Sequence, residues 1–361
     1  MFCRFPSVPP YTAQNNVALH TKRALSLVSR HFRDISIEFM FETVQLFHAD
    51  RAQLLADTIQ SHSGSPARWI KYLMVFWAGE DDVEVMDATL IQLLPHCKNL
   101  VAFVWDTPGM WQSEFKDRHR DNASDLLKSI PLGIYVLQWT RMSLGESFHC
   151  LRHHSSLQEF RVFGVESVSS DGDGVTIPSL THFEARHCEP LYSWSLPSLS
   201  HLTIAQITEH HLGGLWDTIR SIVIEDCSVG TSDTLPRIIA HLHKLESLSY
   251  HISVDTVGGR FEGSWLGVAN QRCLTDVYIH CHPRTHHGLE VPSTTEDFFS
   301  RHLHPIVTGA LTNLRNIHIL NARIVFEKAS RQGEVPTDQA NFLANLSSRL
   351  STPAVLVGFQ M

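Results

Sequence analysis

The chain has 361 residues, 43% of them apolar, so it is long enough to bury a substantial core as one large or two ordinary domains. Its formal charge is −8, and its 29 Lys and Arg residues form no runs, which excludes the basic footprint of a protein that wraps a nucleic-acid backbone. Its seven cysteines are scattered and include no C-x-x-C pair, which excludes a disulfide framework or zinc ribbon and favours a reducing compartment.

The first segment of the chain, MFCRFPSVPPYTAQNN, is interrupted by prolines and polar residues, which excludes the apolar core of a signal peptide. Apolar runs elsewhere, such as residues 72–79, are far shorter than the roughly 20 residues that a membrane span requires. We therefore expect a cytoplasmic or nuclear protein without a membrane or nucleic-acid partner.

Residues 24–46, ALSLVSRHFRDISIEFMFETVQL, carry an apolar pattern of helical spacing. Leu25, Val28, Phe32 and Ile35 stand at i, i+3, i+7 and i+10, which predicts one stripe of a helix that packs on a partner. Three prolines within residues 6–10 prevent a regular helix from crossing that stretch.

A pattern Φ-x-x-Φ-x-Φ, where Φ is apolar or aromatic, recurs along most of the remaining chain. Successive copies start 19 to 40 residues apart, and the shorter spacings match leucine-rich repeats. The ten copies begin at residues 70, 100, 134, 157, 180, 199, 219, 245, 274 and 314.

Within each copy the apolar fourth and sixth residues alternate with polar residues, which is the two-residue period of a strand with one buried face. Helix-like segments lie between copies, at 82–97, 232–245 and 293–311. A strand, a crossover and another strand of the same kind predict a parallel sheet built by stacking, so we expect an α/β fold, a leucine-rich-repeat-like solenoid with a curved parallel sheet and outer helices. An ordinary α/β domain with a parallel sheet is the alternative. Residues 337–359 carry a helical pattern and then an apolar run, which we interpret as the closing cap of the stack.

The stretch 24–46, followed by irregular leucine-rich repeats, resembles F-box proteins of the large fungal type. The resemblance spans nearly the whole chain, with its specific motif in the first fifty residues or so, at Leu25, Val28, Ser29, Arg30, Phe32, Arg33, Ile35, Phe39, Phe41 and Val44. The first helix of the family motif is absent or degenerate here, because FPSVPPYTAQNN stands in its place. The resemblance implies a partial F-box-like helical segment at 1–46 and a solenoid with a terminal cap at 47–361. Alternatively, 24–46 only covers the open end of the repeat stack.

The resemblance also implies a function: a non-catalytic substrate-recognition subunit of a cullin-type ubiquitin ligase, in which Leu25, Val28, Phe32 and Ile35 dock a Skp-type adaptor. Such a subunit acts by proximity and needs no cofactor or catalytic residue. A leucine-rich-repeat scaffold that no longer docks an adaptor is the first alternative.

A third hypothesis is a metal-dependent hydrolase that uses the His and Cys residues of HCHPRTHH, residues 280–287. A zinc site usually takes four ligands from two separate pieces of chain, whereas these candidates crowd into one strand end, and alternation sends His280 and Cys281 to opposite faces. We expect no metal site there.

The polar positions of the copies, the third, fifth and seventh residues, should face outward together and form one surface that binds an unidentified target protein. These predicted partner-binding residues are Glu159, Arg161, His182, Glu184, Arg186, His201, Thr203, Glu225, His251, Asp276, Tyr278, His280 and His318. A merely soluble outer face is the alternative.

Overall fold

The three-dimensional structure is a computed structural model, and it describes residues 13–61, 66–76, 83–106, 120–140, 145–165, 175–188, 194–204, 217–225, 239, 241–253, 272–282, 311, 313–321 and 356–360. The chain divides into two compact units. Unit 1 comprises Met1–His182 and Trp194–Leu196, and unit 2 comprises Phe183–Ser193 and Pro197–Met361.

Helices and strands alternate through the described part of unit 1. The α-helices are α1 (Ala13–Val28), α2 (Arg30–Phe41), α3 (Ala49–Ser61), α4 (Val83–Leu93) and α5 (Arg120–Ser129). The 3-10 helices are Pro66–Trp69, Leu94–His96 and Gly145–His153. The strands of unit 1 are β1 (Thr43–Leu46), β2 (Tyr72–Phe76), β3 (Ala102–Asp106), β4 (Val136–Trp139) and β5 (Glu159–Val165). Among the described residues, no helix is both long and apolar enough to cross a membrane.

In unit 1 the strands β1 to β5 pair in chain order, every pair parallel. Strand β6 (His182–Cys188) spans the boundary in sequence between the units. Unit 2 contains β7 (His201–Ile204), β8 (Ser221–Ile224), β9 (Ser247–Ser253), β10 (Asp276–His282), β11 (Asn316–Leu320) and β12 (Leu356–Gln360). These six strands also pair in chain order and in parallel.

The strands confirm the predicted α/β solenoid of leucine-rich-repeat type. In each of the ten predicted copies a strand begins at the third residue of the pattern, as at Tyr72 in the copy starting at 70 and Asn316 in the copy starting at 314. The fourth and sixth residues of the copies are buried throughout, for example Leu202 and Ile204 in β7. The helix predicted at 82–97 is α4 with the 3-10 turn that follows it. Those predicted at 232–245 and 293–311 lie largely outside the described residues, as does the helical part of 337–359.

Within each unit, a single backbone carbonyl joins one copy to the next. The carbonyl of the second residue of a copy accepts two N–H groups, those of the second and third residues of the following copy. In unit 1, Lys71 O accepts from Val101 N at 2.8 Å and Ala102 N at 3.0 Å. In unit 2, Glu246 O accepts from Thr275 N at 2.9 Å and Asp276 N at 3.1 Å. We call these bonds the double-donor ladder, and within each unit they hold the copies that they join in the same register.

The ladder reveals two copies that the sequence analysis missed. Glu42 O accepts from Lys71 N and Tyr72 N, both at 3.0 Å, so residues 41–46, FETVQL, are a copy whose strand is β1. Strand β12 pairs with β11 so that Leu356 lies opposite Asn316, which makes residues 354–359 a copy as well. The first was hidden because Phe41 and Val44 also fit the F-box pattern. The domain boundary at residue 46 stays a prediction.

The prediction of one helical stripe through residues 25–35 is wrong, because two helices meet there. Helix α1 ends at Val28, and Ser29 has an extended backbone with φ −158° and ψ 166°. The Phe32 N–H donates to Ser29 Oγ at 3.2 Å, so Ser29 is the N-cap of α2. A helix also precedes the motif, since α1 begins at Ala13, after the prolines.

The expectation of one buried face per strand also fails in part. In β7, β8 and β11 burial alternates as expected. In β2 and β3 it does not, since the fifth residues of these copies, Met74 and Val104, are buried with their neighbours. Both positions are apolar, and a parallel strand covered on both faces has a continuous apolar sequence.

A buried histidine in unit 1 predicts a pH-dependent stability. His154 is 2% exposed, and no hydrogen-bond partner for its Nδ1 is present among the described residues. Burial, with a smaller contribution from the neighbouring His153, lowers the pKa of the His154 imidazole below its usual 6.5. The unfolded chain therefore takes up a proton that the folded chain resists.

The free energy of unfolding is thus expected to be highest above pH 6.5 and to fall as the pH drops through the lower pKa of the folded state. Urea midpoints of the wild type and of His154→Leu at pH 7.5, 6.5 and 5.5 measure this. The variant should lose less stability between pH 7.5 and pH 5.5 than the wild type. Parallel pH curves for the two proteins would contradict the assignment.

Candidate protein-binding surfaces

Helices α1 and α2 present apolar side chains to solvent. Leu25 is 43% exposed and Val28 66% on α1, and Phe32 is 45% exposed and Ile35 49% on α2. The break at Ser29 places these four predicted adaptor-binding residues on two packed helices instead of one stripe. A hydrogen bond of 3.0 Å from Lys22 Nζ to the Phe39 carbonyl also joins the two helices.

Two further residues belong to this apolar face: Leu27, which the sequence analysis did not name, and Phe39, which it named only as a position of the F-box-like motif. Leu27 on α1 and Phe39 on α2 are also exposed. Phe32, Ile35 and Phe39 stand at i, i+3 and i+7 of α2, so they share one side of that helix. The helical spacing of Phe32, Ile35 and Phe39 is present in the sequence. The sequence analysis counted that spacing from Leu25 along one continuous helix, and it therefore did not group these three residues. We call Leu25, Leu27, Val28, Phe32, Ile35 and Phe39 the apolar helix face.

The described part of unit 1 carries three of the predicted partner-binding residues at partly exposed positions of β5 and β6: Glu159, Arg161 and His182. Pairing of β4 with β5 sets Glu159 opposite Val136 and Arg161 opposite Gln138. The His182 Nδ1 lies 2.9 Å from Thr181 Oγ1, and burial lowers the pKa of the imidazole.

Unit 2 carries the other predicted partner-binding residues. Glu184, His201, Thr203, Glu225, His251, Asp276, Tyr278 and His318 are all partly exposed, while His280 is buried. The side chain of Arg186 lies outside the described part of the structure. Strand pairing aligns Asp276 with Asn316, Tyr278 with His318, and His280 with His251.

Two ring pairs stand on β9, β10 and β11. The Tyr278 and His318 rings are stacked, with centroids 4.7 Å apart and planes 8° apart. The His251 and His280 rings are stacked with centroids 4.4 Å apart and planes 30° apart. Burial lowers the pKa of the His318 imidazole, against a smaller opposing effect of the Asp276 carboxylate. We call Tyr278, His318, His251 and His280 the ring cluster.

Asp276 is held in place beside the ring cluster. Asn316 Nδ2 donates to Asp276 Oδ1 at 2.6 Å, and Thr275 Oγ1 donates to Asp276 Oδ2 at 2.6 Å. A carboxylate offers about four lone-pair positions, so two single hydrogen bonds fix its orientation without filling it. The sequence predicted that Asp276, Tyr278 and His318 face outward. It did not predict that the rings stack or that Asn316 positions the Asp276 carboxylate.

The metal-site hypothesis finds no support in the described residues, which contain no group of three or more His, Cys, Asp or Glu side chains placed to hold a metal ion. Residues 283–287 lie outside the described part of the chain. Cys281 is fully buried, and burial raises the pKa of its thiol to about 12.

A groove of about 590 Å³ lies between α3 and α4. It is lined by Gln53, Ala56, Asp57, Gln60, Glu84, Val85, Ala88, Thr89 and Gln92. Its charged lining residues are Asp57 and Glu84, and the other seven are neutral. Sequence reasoning did not find this groove, because its residues come from two separate segments of the chain.

In the comparison with known proteins, no family model and no curated protein matches the chain. Two solved structures resemble it weakly. The leucine-rich repeat-containing protein LegL7 from Legionella pneumophila is 14% identical, with a TM-score of 0.39, over 88% of this chain and 96% of that one. The complex of Rad7 and Elc1 in yeast gives 11% identity and a TM-score of 0.36, over 97% of this chain and 98% of the matched chain. The fold assignment rests on the strand pairing and not on these scores.

Proposed function

We propose that this protein is a non-catalytic adaptor, the substrate-recognition subunit of a cullin-type ubiquitin ligase. In this proposal the apolar helix face docks a Skp-type adaptor, and the outward face of the strands holds a target protein. The ligase would transfer ubiquitin through other subunits, so this chain contributes proximity and orientation only. The F-box-like residues of 24–46 supply the link to this class of complex.

The observation that carries the proposal is the exposure of the apolar helix face. Had α1 and α2 served only as a cover for the repeat stack, their apolar side chains would be buried against it. Instead Leu25, Val28, Phe32 and Ile35 remain 43% to 66% exposed. Contiguous apolar side chains in water are costly, at about 25 cal/mol per Å², and on a soluble protein they usually mark a partner-binding site.

The test is a pull-down of the full-length protein with a purified Skp-type adaptor, comparing wild type with Val28→Asp. The Val28 side chain is 66% exposed, so an aspartate there should leave folding largely intact. In the docked state the carboxylate would be buried against apolar groups, and we expect a loss of affinity of at least about 100-fold.

Leu54→Asp is the matched control, since Leu54 is also an exposed apolar residue but lies on α3. It should bind the adaptor like the wild type, and circular dichroism checks the fold of both variants. Failure of the intact wild-type protein to bind any Skp-type adaptor would refute the ligase role and favour the scaffold alternative.

A further inference from the structure

The outward face of unit 2 combines aromatic rings with negative charge. The ring cluster occupies three adjacent strands, and the register places its two pairs two residues apart along β10. Asp276 stands two residues before Tyr278 on the same strand, and Glu225 directly follows β8. Among the described outward positions of β7 to β11 there is no Lys or Arg.

At neutral pH the imidazoles of this face are not a source of fixed positive charge. An unperturbed histidine is mostly neutral at pH 7, and burial lowers the pKa of His318 further. Among the described outward positions of β7 to β11, the permanently charged side chains are then Asp276 and Glu225. A partner that complements this surface should be positively charged and should also stack on rings.

We propose that the ring cluster and Asp276 bind an arginine side chain of the target protein. The planar guanidinium stacks on phenol and imidazole rings, and its N–H fork matches a carboxylate, whereas a lysine ammonium offers neither the plane nor the fork. Asn316 and Thr275 hold the Asp276 carboxylate in position for that pairing. This inference rests on the proposed function, because it names the chemistry of the target that the strand face holds.

The probe is a fluorescein-labelled 12-residue peptide of Gly and Ser that carries three Arg residues, with matched peptides carrying three Lys or three Glu. Fluorescence anisotropy with the full-length protein at pH 7.5 measures binding. The Arg peptide should bind about 10-fold more tightly than the Lys peptide, because stacking and bidentate pairing add to simple charge attraction. The Glu peptide should bind more weakly than both.

Variants assign that preference to the proposed residues. Tyr278→Ala and Asp276→Asn should each weaken Arg-peptide binding about 10-fold, the size expected for a central contact. Tyr278→Phe keeps the ring and should bind nearly as the wild type. Ser221→Ala is the control on the same face, since Ser221 is a partly exposed residue of β8 that is not among the predicted partner-binding residues. Equal affinity for the Arg and Lys peptides, or for wild type and Tyr278→Ala, would overturn the proposal.

Acidic pH gives an independent readout. Protonation of the His318 imidazole would add positive charge beside the guanidinium, so binding should weaken between pH 7.5 and 5.5. Among the described residues, the Asp276 carboxylate on β10 acts on the His318 imidazole, Glu225 directly follows β8, and the sequence of β12 contains no charged residue. Binding that is unchanged or tighter at pH 5.5 would contradict the proposal.

The two proposals fail separately. The Val28→Asp protein should bind the Arg peptide with wild-type affinity while losing the adaptor. If the ring cluster proposal is wrong, Arg-peptide selectivity disappears, but the wild-type protein still captures the adaptor.

Discussion

Replacing Trp139 by alanine is expected to lower the free energy of unfolding by about 3–5 kcal/mol, the usual cost of removing a large buried aromatic side chain. Trp139 is fully buried and lies opposite Trp105 across the pairing of β3 and β4. The two ring centroids are 6.1 Å apart at an interplanar angle of 44°. Both tryptophans are sixth residues of their copies, where a smaller side chain would leave a cavity between neighbouring repeats.

The variant Trp139→Phe separates the contribution of ring packing to stability from that of the indole N–H group. Among the described residues the indole N–H of Trp139 has no acceptor, so phenylalanine keeps most of the ring and removes a buried unsatisfied donor. We expect it to cost much less than the alanine variant. Urea unfolding followed by far-UV circular dichroism measures both, with Leu132→Ala as the control at an exposed site. A Trp139→Ala protein as stable as that control would show that this core packing is wrong.

Tyr135→Pro is expected to destabilise the protein by about 2–3 kcal/mol, because proline removes an N–H and its ring collides with the neighbouring backbone. Tyr135 N donates to Val101 O at 2.9 Å, and Val136 N donates to the same carbonyl at 3.1 Å. The Tyr135 side chain is itself exposed. Its loss therefore contributes little, and the substitution reports on the double-donor ladder.

Tyr135→Ala is the matched control, because it removes the same side chain and keeps the backbone N–H. The urea midpoint of the alanine variant should stay close to that of the wild type, while that of the proline variant falls. Equal midpoints for the two variants would mean that the first donor of the ladder adds nothing to stability.

The sequence was sufficient for the fold class because apolar residues of period 2 recurred at fixed places in every copy. Leu202 and Ile204 of β7 show the pattern at its clearest. The recognition of copies failed where one residue fitted two sequence patterns. Phe41 and Val44 fit the F-box motif, which concealed the copy that forms β1. Periodicity alone also could not show that Met74 and Val104 are buried, since the cover over a strand comes from distant parts of the chain.

The sequence was sufficient to predict which residues belong to the candidate surfaces, but not how their side chains contact one another. Alternation along each strand indicated that Asp276, Tyr278 and His318 face outward, and they are partly exposed. Their stacking and hydrogen bonds depend on the register between β10 and β11, which no single segment encodes. On α1 and α2, the continuous helical spacing from Leu25 concealed the break, because an N-cap serine can also occupy a helix interior.

The double-donor ladder also bears on how such a chain can change during evolution. Within each unit the accepting carbonyl keeps its place, although the starts of the predicted copies that it joins are 20 to 40 residues apart. Doubling the length of a connection costs only about 0.6 kcal/mol of closure entropy. Connections can therefore gain or lose residues between copies while the strands stay aligned. New loops, with new recognition properties, can be added to this framework without redesign of its core.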